Sequence, residues 1–226
     1  MNKEQREIVI PSQLLGDAKN KKAGRGTFVE KGKIYAEILG VLNASSEHID
    51  VIPIKGRYDP VQQDFVIGII IEAMQSSWLV DINAAYPALL HVNEVPWNVD
   101  FGETEKYLNT GDCVMAKVSQ VDQEKKLQIT LKDRNLYKVK GGHLINIEPQ
   151  KVPRIIGKKG SMISLLKKYT GCRIFVGQNG RIWIDGSYEG IKKVIDTIYL
   201  IEKKSLSYGL TNKIEDLLKK NAKEVH

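Results

Sequence analysis

The pattern of apolar and polar positions changes character twice along the chain. Between residues 8 and 54 it is short and strand-like. Ile8-Val9-Ile10 stops at Pro11, and strand runs follow at 27–30, 34–42 and 48–54, separated by Lys31-Gly32-Lys33 and Asn43-Ala44-Ser45-Ser46. No helical period interrupts them, which predicts a small β-sandwich or barrel-like module ending in the polar turn at 56–60. Residues 19–25 read as a basic loop and residues 1–7 as a charged, frayed end.

Five strand runs follow at 65–74, 78–83, 88–92, 113–121 and 126–131, with a polar excursion after the third and a hairpin turn at 122–125. In the second run Trp78, Val80 and Ile82 alternate with Leu79 and Asp81, so Trp78 and Leu79 point to opposite faces. Five strands with that long third connection are the pattern of an OB-fold barrel. The last third mixes periods. A strand at 144–148 leads to Pro149 and Pro153, which fence a helix start. A second helix at 161–169 puts Met162, Leu165, Leu166 and Tyr169 on one face and ends at a capping Gly171. A hairpin joins 172–176 to 181–185 through Gly177-Gln178-Asn179-Gly180, since Asn-Gly is a strong hairpin signal. Ser187 caps a final helix with Ile191, Val194, Ile195, Ile198 and Ile201 on one side. A charged helical tail carries Ile214, Leu217 and Leu218. The expected fold is therefore mostly β in the N-terminal two-thirds, followed by an α+β domain, divided at 1–58, 59–136, 137–205 and 206–226.

Charge sharpens this division. The net charge is +7, but residues 59–136 hold 6 basic and 12 acidic side chains while residues 137–226 hold 18 and 8. A polyanion partner is thus expected at the C-terminal third. Two cysteines, Cys113 and Cys172, have no metal-ligand spacing and read as reduced thiols of an intracellular, cytoplasmic protein. The N-terminus has no apolar signal region, and no apolar run is long enough to span a membrane. The four histidines, His48, His91, His143 and His226, are scattered. No nucleophile–base set, phosphate-binding Walker loop or acidic cluster accompanies them, so no catalytic residue, metal or cofactor is expected.

The candidate chemistry sits in Val152-Pro153-Arg154-Ile155-Ile156-Gly157-Lys158-Lys159-Gly160-Ser161-Met162-Ile163. Two glycines let the backbone turn tightly and let a second polymer approach it. The following helix points free N–H groups and its positive dipole end at the turn. Lys158 and Lys159 add two cations, giving a cradle for a phosphodiester backbone. The stretch resembles the I-I-G-x-x-G-x-x-I signature of the KH domain, a single-stranded nucleic-acid binder. The element order β-α-α-β-β-α is that of a type I KH domain. The resemblance implies phosphate contacts from Arg154, Gly157, Lys158, Lys159 and Gly160. It also implies an apolar groove over Ile155, Ile156, Ile163 and the strand Arg173-Ile174-Phe175, which adds Arg173.

The middle third resembles an S1 domain, the RNA-binding OB-fold. Gly68, Trp78-Leu79-Val80-Asp81-Ile82, Leu89-Leu90-His91-Val92-Asn93-Glu94-Val95, Gly111-Asp112-Cys113-Val114 and Leu127-Gln128-Ile129-Thr130-Leu131-Lys132 carry the likeness. It implies RNA contact at His91, Lys126 and Lys132. Ser76 and Leu79 stand where that family has base-stacking aromatics. With its net acidity, this makes the S1 surface a weaker base platform than the family pattern.

An N-terminal β domain, S1 and one KH domain in that order are similar to the KH-bearing cap subunits of the archaeal RNA exosome. Ile10-Pro11…Gly16-Asp17 and Tyr58-x-Pro60-x-x-x-Asp64-x-Val66-Ile67-Gly68 extend the likeness over the chain. It implies a non-catalytic subunit, three copies of which cap a hexameric phosphorolytic ring and guide single-stranded RNA to its central pore. The N-terminal domain would dock on the ring and S1 would line the way in. A free-standing S1/KH factor of translation or transcription is the alternative. Degradative phosphorylases carry KH before S1, the S1–KH–KH elongation factors need a second KH, and the zinc-bearing cap type needs four cysteines.

Overall fold

The computed structural model describes residues 7–122, 126–204 and 210–223. The fraying expected of residues 1–6 and the turn residues 123–125 lie outside these. The chain divides into two units, residues 1–56 and 57–226.

Among the described residues the first unit holds seven strands: β1 (Ile8–Val9), β2 (Leu14–Asp17), β3 (Lys22–Ala23), β4 (Thr27–Glu30), β5 (Lys33–Ala36), β6 (Gly40–Ala44) and β7 (His48–Pro53). They form two sheets, β1-β6-β7-β3 and β2-β5-β4. Alternation sends Ile34 and Ala36 of β5, and Ile49 and Val51 of β7, inward. The single strand expected over 34–42 breaks at residues 37–39, where the chain crosses from one sheet to the other. Glu37 N–H turns to the Gly26 carbonyl at that break. Within the loop expected at 19–25, β3 pairs in parallel with β7 through main-chain bonds alone, which leave no apolar signature.

The second unit begins with a clasp. Tyr58 donates its hydroxyl to Asp64 Oδ2 at 2.7 Å. Burial, and then the carboxylate acceptor, hold that phenol protonated far above its ordinary range. A closed barrel follows, built from β8 (Phe65–Ala73), β9 (Ser77–Asp81), β10 (Ala88–His91), β11 (Cys113–Val121) and β12 (Leu127–Thr130), in the order β10-β12-β11-β8-β9. A Cβ on Gly68 would lie 2.4 Å from Val80 Cγ1, so β8 and β9 close only around a bare backbone there. Trp78 is fully buried, as alternation requires, and its indole N–H donates to the Leu108 carbonyl at 3.0 Å.

The Gly-Asp pair before β11 has a structural task. Asp112 accepts from Asn109 N–H at 2.6 Å and from Lys138 Nζ at 2.5 Å, pinning the segment that leaves the barrel. That segment runs back along β11, with Met115 N–H on the Tyr137 carbonyl (3.0 Å) and Val139 N–H on the Cys113 carbonyl (2.7 Å).

The α+β part holds β13 (His143–Asn146), α1 (Val152–Ile156), α2 (Ser161–Thr170), β14 (Arg173–Val176), β15 (Arg181–Asp185), α3 (Tyr188–Lys203) and α4 (Leu210–Lys223). Its sheet runs β13-β15-β14. Gly171 ends α2 with φ 66°, and the Ser187 hydroxyl accepts from Gly190 N–H at the start of α3. The helices cover one sheet face, where Ile174, Ile182 and Ile184 meet Leu166, Val194 and Ile198. The tail helix α4 joins this core through Leu210, Ile214 and Leu218, while Leu217 faces out.

The other sheet face packs on the barrel. Trp183, Leu144 and Phe175 enter the barrel's own hydrophobic cluster. Between them the β14–β15 loop fills a gap in the barrel wall. The β8–β9 ladder stops at Ile69 and Asp81, and beyond it the strands part. Asn179, fully buried, sits in the opening. Its amide donates to the Ile67 and Ile82 carbonyls (2.8 and 2.9 Å), and its oxygen accepts from Ile67 N–H at 3.3 Å. Arg181 donates to the Ile67 and Asp81 carbonyls (3.2 and 2.6 Å) and pairs with the Asp81 carboxylate. Barrel and sheet are thereby joined by side chains of one hydrogen-bonded to the main chain of the other.

Two outcomes test this description. Asn179→Ala strands buried main-chain groups and lowers unfolding free energy by about 2–5 kcal/mol. The isosteric Asn179→Asp turns two donations into oxygen–oxygen contacts and costs no less, both read by denaturant titration. At Asp112, partial burial raises the carboxyl pKa, but Lys138 and the Asn109 N–H outweigh it and hold it below the usual value. Its stabilisation is therefore present above the ordinary carboxylate pKa and is lost as pH falls through the lowered one. Asp112→Asn flattens that acid limb in unfolding curves taken against pH.

Candidate nucleic-acid interface

The Gly-Lys-Lys-Gly turn has a glycine at each end, where φ is positive. α1 ends at Gly157, whose φ is 74° and ψ 171°. A Cβ there would lie 2.8 Å from both Met162 N and Met162 Cβ, on the first turn of α2. Lys159 (φ 53°) and Gly160 (φ 77°) are both left-handed. Gly160 N–H closes the turn on the Gly157 carbonyl at 3.1 Å. Ile155 is buried beneath and Ile156 and Ile163 are half-buried beside it, so the turn is riveted to the core while Lys158 and Lys159 stand in solvent.

No side chain caps α2; Ser161 N–H bonds the Lys158 carbonyl, and the next N–H groups and the positive end of the dipole face the turn. Lys167 and Lys168 lie in the last turn of the same helix. The geometry can hold a polyanion by two ammonium groups and main-chain donors, with an apolar strip beside it for flat groups. Arg154, half-buried on α1, precedes the turn.

The remaining candidates are elsewhere. Arg173 lies on the barrel-facing side of the sheet. It pairs with Asp185, and its guanidinium lies 5.6 Å from the Trp183 ring centroid. Its side chain is nevertheless 75% exposed, at the edge of β14. His91 ends β10 and accepts from Asn93 N–H through Nδ1 at 3.1 Å. Leu131 N–H and Thr130 Oγ1 both reach the Glu94 carbonyl, so His91 and the exposed Lys132 share one end of the barrel. Lys126 is at the opposite end of β12. Ser76 and Leu79 are half-buried and offer no aromatic face. The structure thus gathers Arg154, Gly157, Lys158, Lys159 and Gly160 at one turn and leaves the other four candidates apart from it.

Two groups that position the site escape sequence reasoning. Asn179 and Arg181 fix the sheet against the barrel, but Asn179-Gly180 carries only the signal of a turn. Among the described residues no cluster of three or more His, Cys, Asp or Glu side chains is placed to hold a metal ion.

Comparison with known proteins adds a second line. The model of the exosome RNA binding protein RRP4 N-terminal domain matches residues 6–55, and a KH domain model matches residues 142–189. The exosome complex component Rrp4 of Methanosarcina acetivorans is 47% identical over 214 residues, covering 95% of this chain and 82% of the relative. That of Picrophilus torridus is 42% identical over 217 residues, covering 96% and 94%. The crystal structure of a protein assigned provisionally as an exosome complex RNA-binding protein superposes with a TM-score of 0.67 at 32% identity, over 76% of this chain and all of that one.

The two glycines of the turn differ in surroundings, and this gives a graded test. Gly157→Ala combines left-handed strain with a collision against α2, while the nearest atom to a Cβ on Gly160 is 3.8 Å away. Gly160→Ala should cost about 1–2 kcal/mol from backbone strain alone, and Gly157→Ala more, as measured by thermal or denaturant unfolding.

Proposed function

Because the chain belongs to the Rrp4 family of exosome components, we propose that it is the non-catalytic RNA-binding cap of a 3′-to-5′ RNA-degrading exosome, guiding single-stranded RNA toward the pore of a phosphorolytic ring. The observation that carries this reading is the Gly157–Gly160 turn, with two exposed lysines held on a rigid sheet-and-barrel body. Arg154, Lys158 and Lys159 contact phosphates, and the apolar strip beside them receives bases. Arg173, His91, Lys126 and Lys132 supply further contacts along the strand.

In this reading residues 1–58 dock on the ring, with three copies per hexamer, residues 59–136 act as the S1 domain lining the way in, and residues 137–205 act as KH. The division of charge supports it, since the acidic barrel is suited to protein contact and the basic KH region to RNA. Among the described residues no helix is long and apolar enough to cross a membrane. A cytoplasmic place for the complex belongs to the same reading.

Two experiments bear on it. Expressed with its host's phosphorolytic ring subunits, the chain should co-purify with them, whereas a clean monomer that ignores the assembled ring favours a free-standing RNA-binding factor. RNA binding by the purified chain should weaken steeply with salt and proceed without cleavage. Lys158→Ala with Lys159→Ala should reduce the log–log salt slope by roughly 0.7 per lysine, as followed by fluorescence anisotropy. Phosphate-dependent RNA decay by the rigorously purified chain would overturn the non-catalytic assignment.

A further inference from the structure

A cleft of about 280 Å³ opens where the barrel meets the KH sheet. One wall comes from the barrel and the segment leaving it: Met115, Asn135 and Tyr137. The other comes from the end of α2 and from β14: Lys167, Arg173 and Phe175. The KH likeness covers only the β14 wall, and the cleft itself exists only once the two parts are locked together. We infer that this cleft is a nucleotide subsite, in which Tyr137 stacks a base of the single strand that leaves the Gly-Lys-Lys-Gly turn. The inference rests on the RNA-binding reading above and places a second contact for the same strand.

Three features carry it. Tyr137 is 42% exposed, yet its backbone is fixed, because Met115 N–H and the Lys138–Asp112 pair hold that segment on the barrel. A rigid, half-presented aromatic loses little freedom when a base lies on it, which is what a stacking platform requires. The opposite wall sets two cations beside the apolar Phe175: the Lys167 ammonium, and the Arg173 guanidinium oriented by Asp185 and Trp183. Those charges suit the phosphates flanking a stacked base. β14 is the edge strand of its sheet and pairs only with β15 among the described residues, so its main chain borders the cleft as well.

Continuity with the turn decides between this occupant and others. α2 runs from the Gly-Lys-Lys-Gly turn to Thr170, and Lys167 in its last turn lies about 9 Å along the axis from Ser161. Ile163 beside the turn and Lys167 at the cleft are four residues apart on α2 and so share one face, which puts the cleft less than a helix length from the turn, within reach of a short run of nucleotides. It also gives the contact of Arg173 along the strand a defined place, at the rim of the cleft. At about 280 Å³ the cleft is just under the roughly 300 Å³ at which small-ligand sites begin, a size suited to a single flat base and not to a larger ligand.

The test uses the full chain and a single-stranded oligouridylate, with anisotropy titrations over a salt series. Tyr137→Ala is expected to weaken binding by roughly 5- to 100-fold, the loss that one stacked base carries, with no change in salt slope. Tyr137→Phe, which keeps the ring, is expected to bind within about twofold of the parent. Photo-cross-linking of a 5-iodouridine oligonucleotide should label Tyr137, mapped by mass spectrometry. Thermal unfolding of each variant separates lost contact from lost fold. Binding by Tyr137→Ala within twofold of the parent, or an equal loss in Tyr137→Phe, overturns the subsite even where the Lys158/Lys159 substitutions weaken binding. Failure of the parent chain to bind the oligonucleotide overturns the RNA-binding reading and this subsite with it.

Discussion

One carboxamide holds the larger part of this molecule together. Where β8 and β9 separate, Ile67 and Ile82 present main-chain groups that no strand can satisfy, and Asn179 supplies both donors and an acceptor from a distant segment. Asparagine alone among short side chains offers that pair of functions in a planar unit the size of a peptide. An unmet buried main-chain group costs about as much as a lost hydrogen bond, so barrel and sheet are interdependent. The orientation of the sheet then fixes everything attached to it, including the Gly-Lys-Lys-Gly turn and the edge of β14. The sheet face that would meet solvent in an isolated α+β domain is instead committed to the barrel through Trp183 and Phe175.

This arrangement sets opposite electrostatic characters side by side on a fixed frame. The barrel region is acidic and the region after it strongly basic, with 6 against 12 and 18 against 8 basic and acidic side chains. Because the two parts share hydrogen bonds, the separation of charge is a property of the frame. A polyanion meeting the basic side is directed along it, since the field of the acidic side repels the same chain. Bidentate and stacked arginines contribute orientation as well as charge, as Arg181 does inside the joint and Arg173 at its rim.

Much of the fold was legible because its elements carry periodic side chains. The five barrel strands, the inward Trp78, the order of the α+β part and the caps at Gly171 and Ser187 all follow from alternation, helical spacing or capping chemistry. The Gly-Lys-Lys-Gly turn was legible because φ above zero and close approach leave only glycine at its ends. The break at residues 37–39 was hidden, since both flanking strands are apolar and the crossing between sheets is made by main-chain bonds. The joint was hidden for a different reason. Asn179 and its partners Ile67 and Ile82 are roughly a hundred residues apart, and a hydrogen bond imposes no period on the residues between. Tyr137 fell on the expected boundary between two domains, where a side chain reads as linker. The structure shows that segment paired along β11, which turns a boundary into a wall.

The loop that carries Asn179 also imposes an order on synthesis. All five barrel strands have left the ribosome before residue 179 is made, and at roughly 5–20 residues per second a few seconds separate the two events. In that interval the parted ends of β8 and β9 are satisfied by water. The nascent barrel is thus incomplete until its C-terminal neighbour arrives, and a chain truncated between residues 131 and 179 would leave the Ile67 and Ile82 main-chain groups without Asn179.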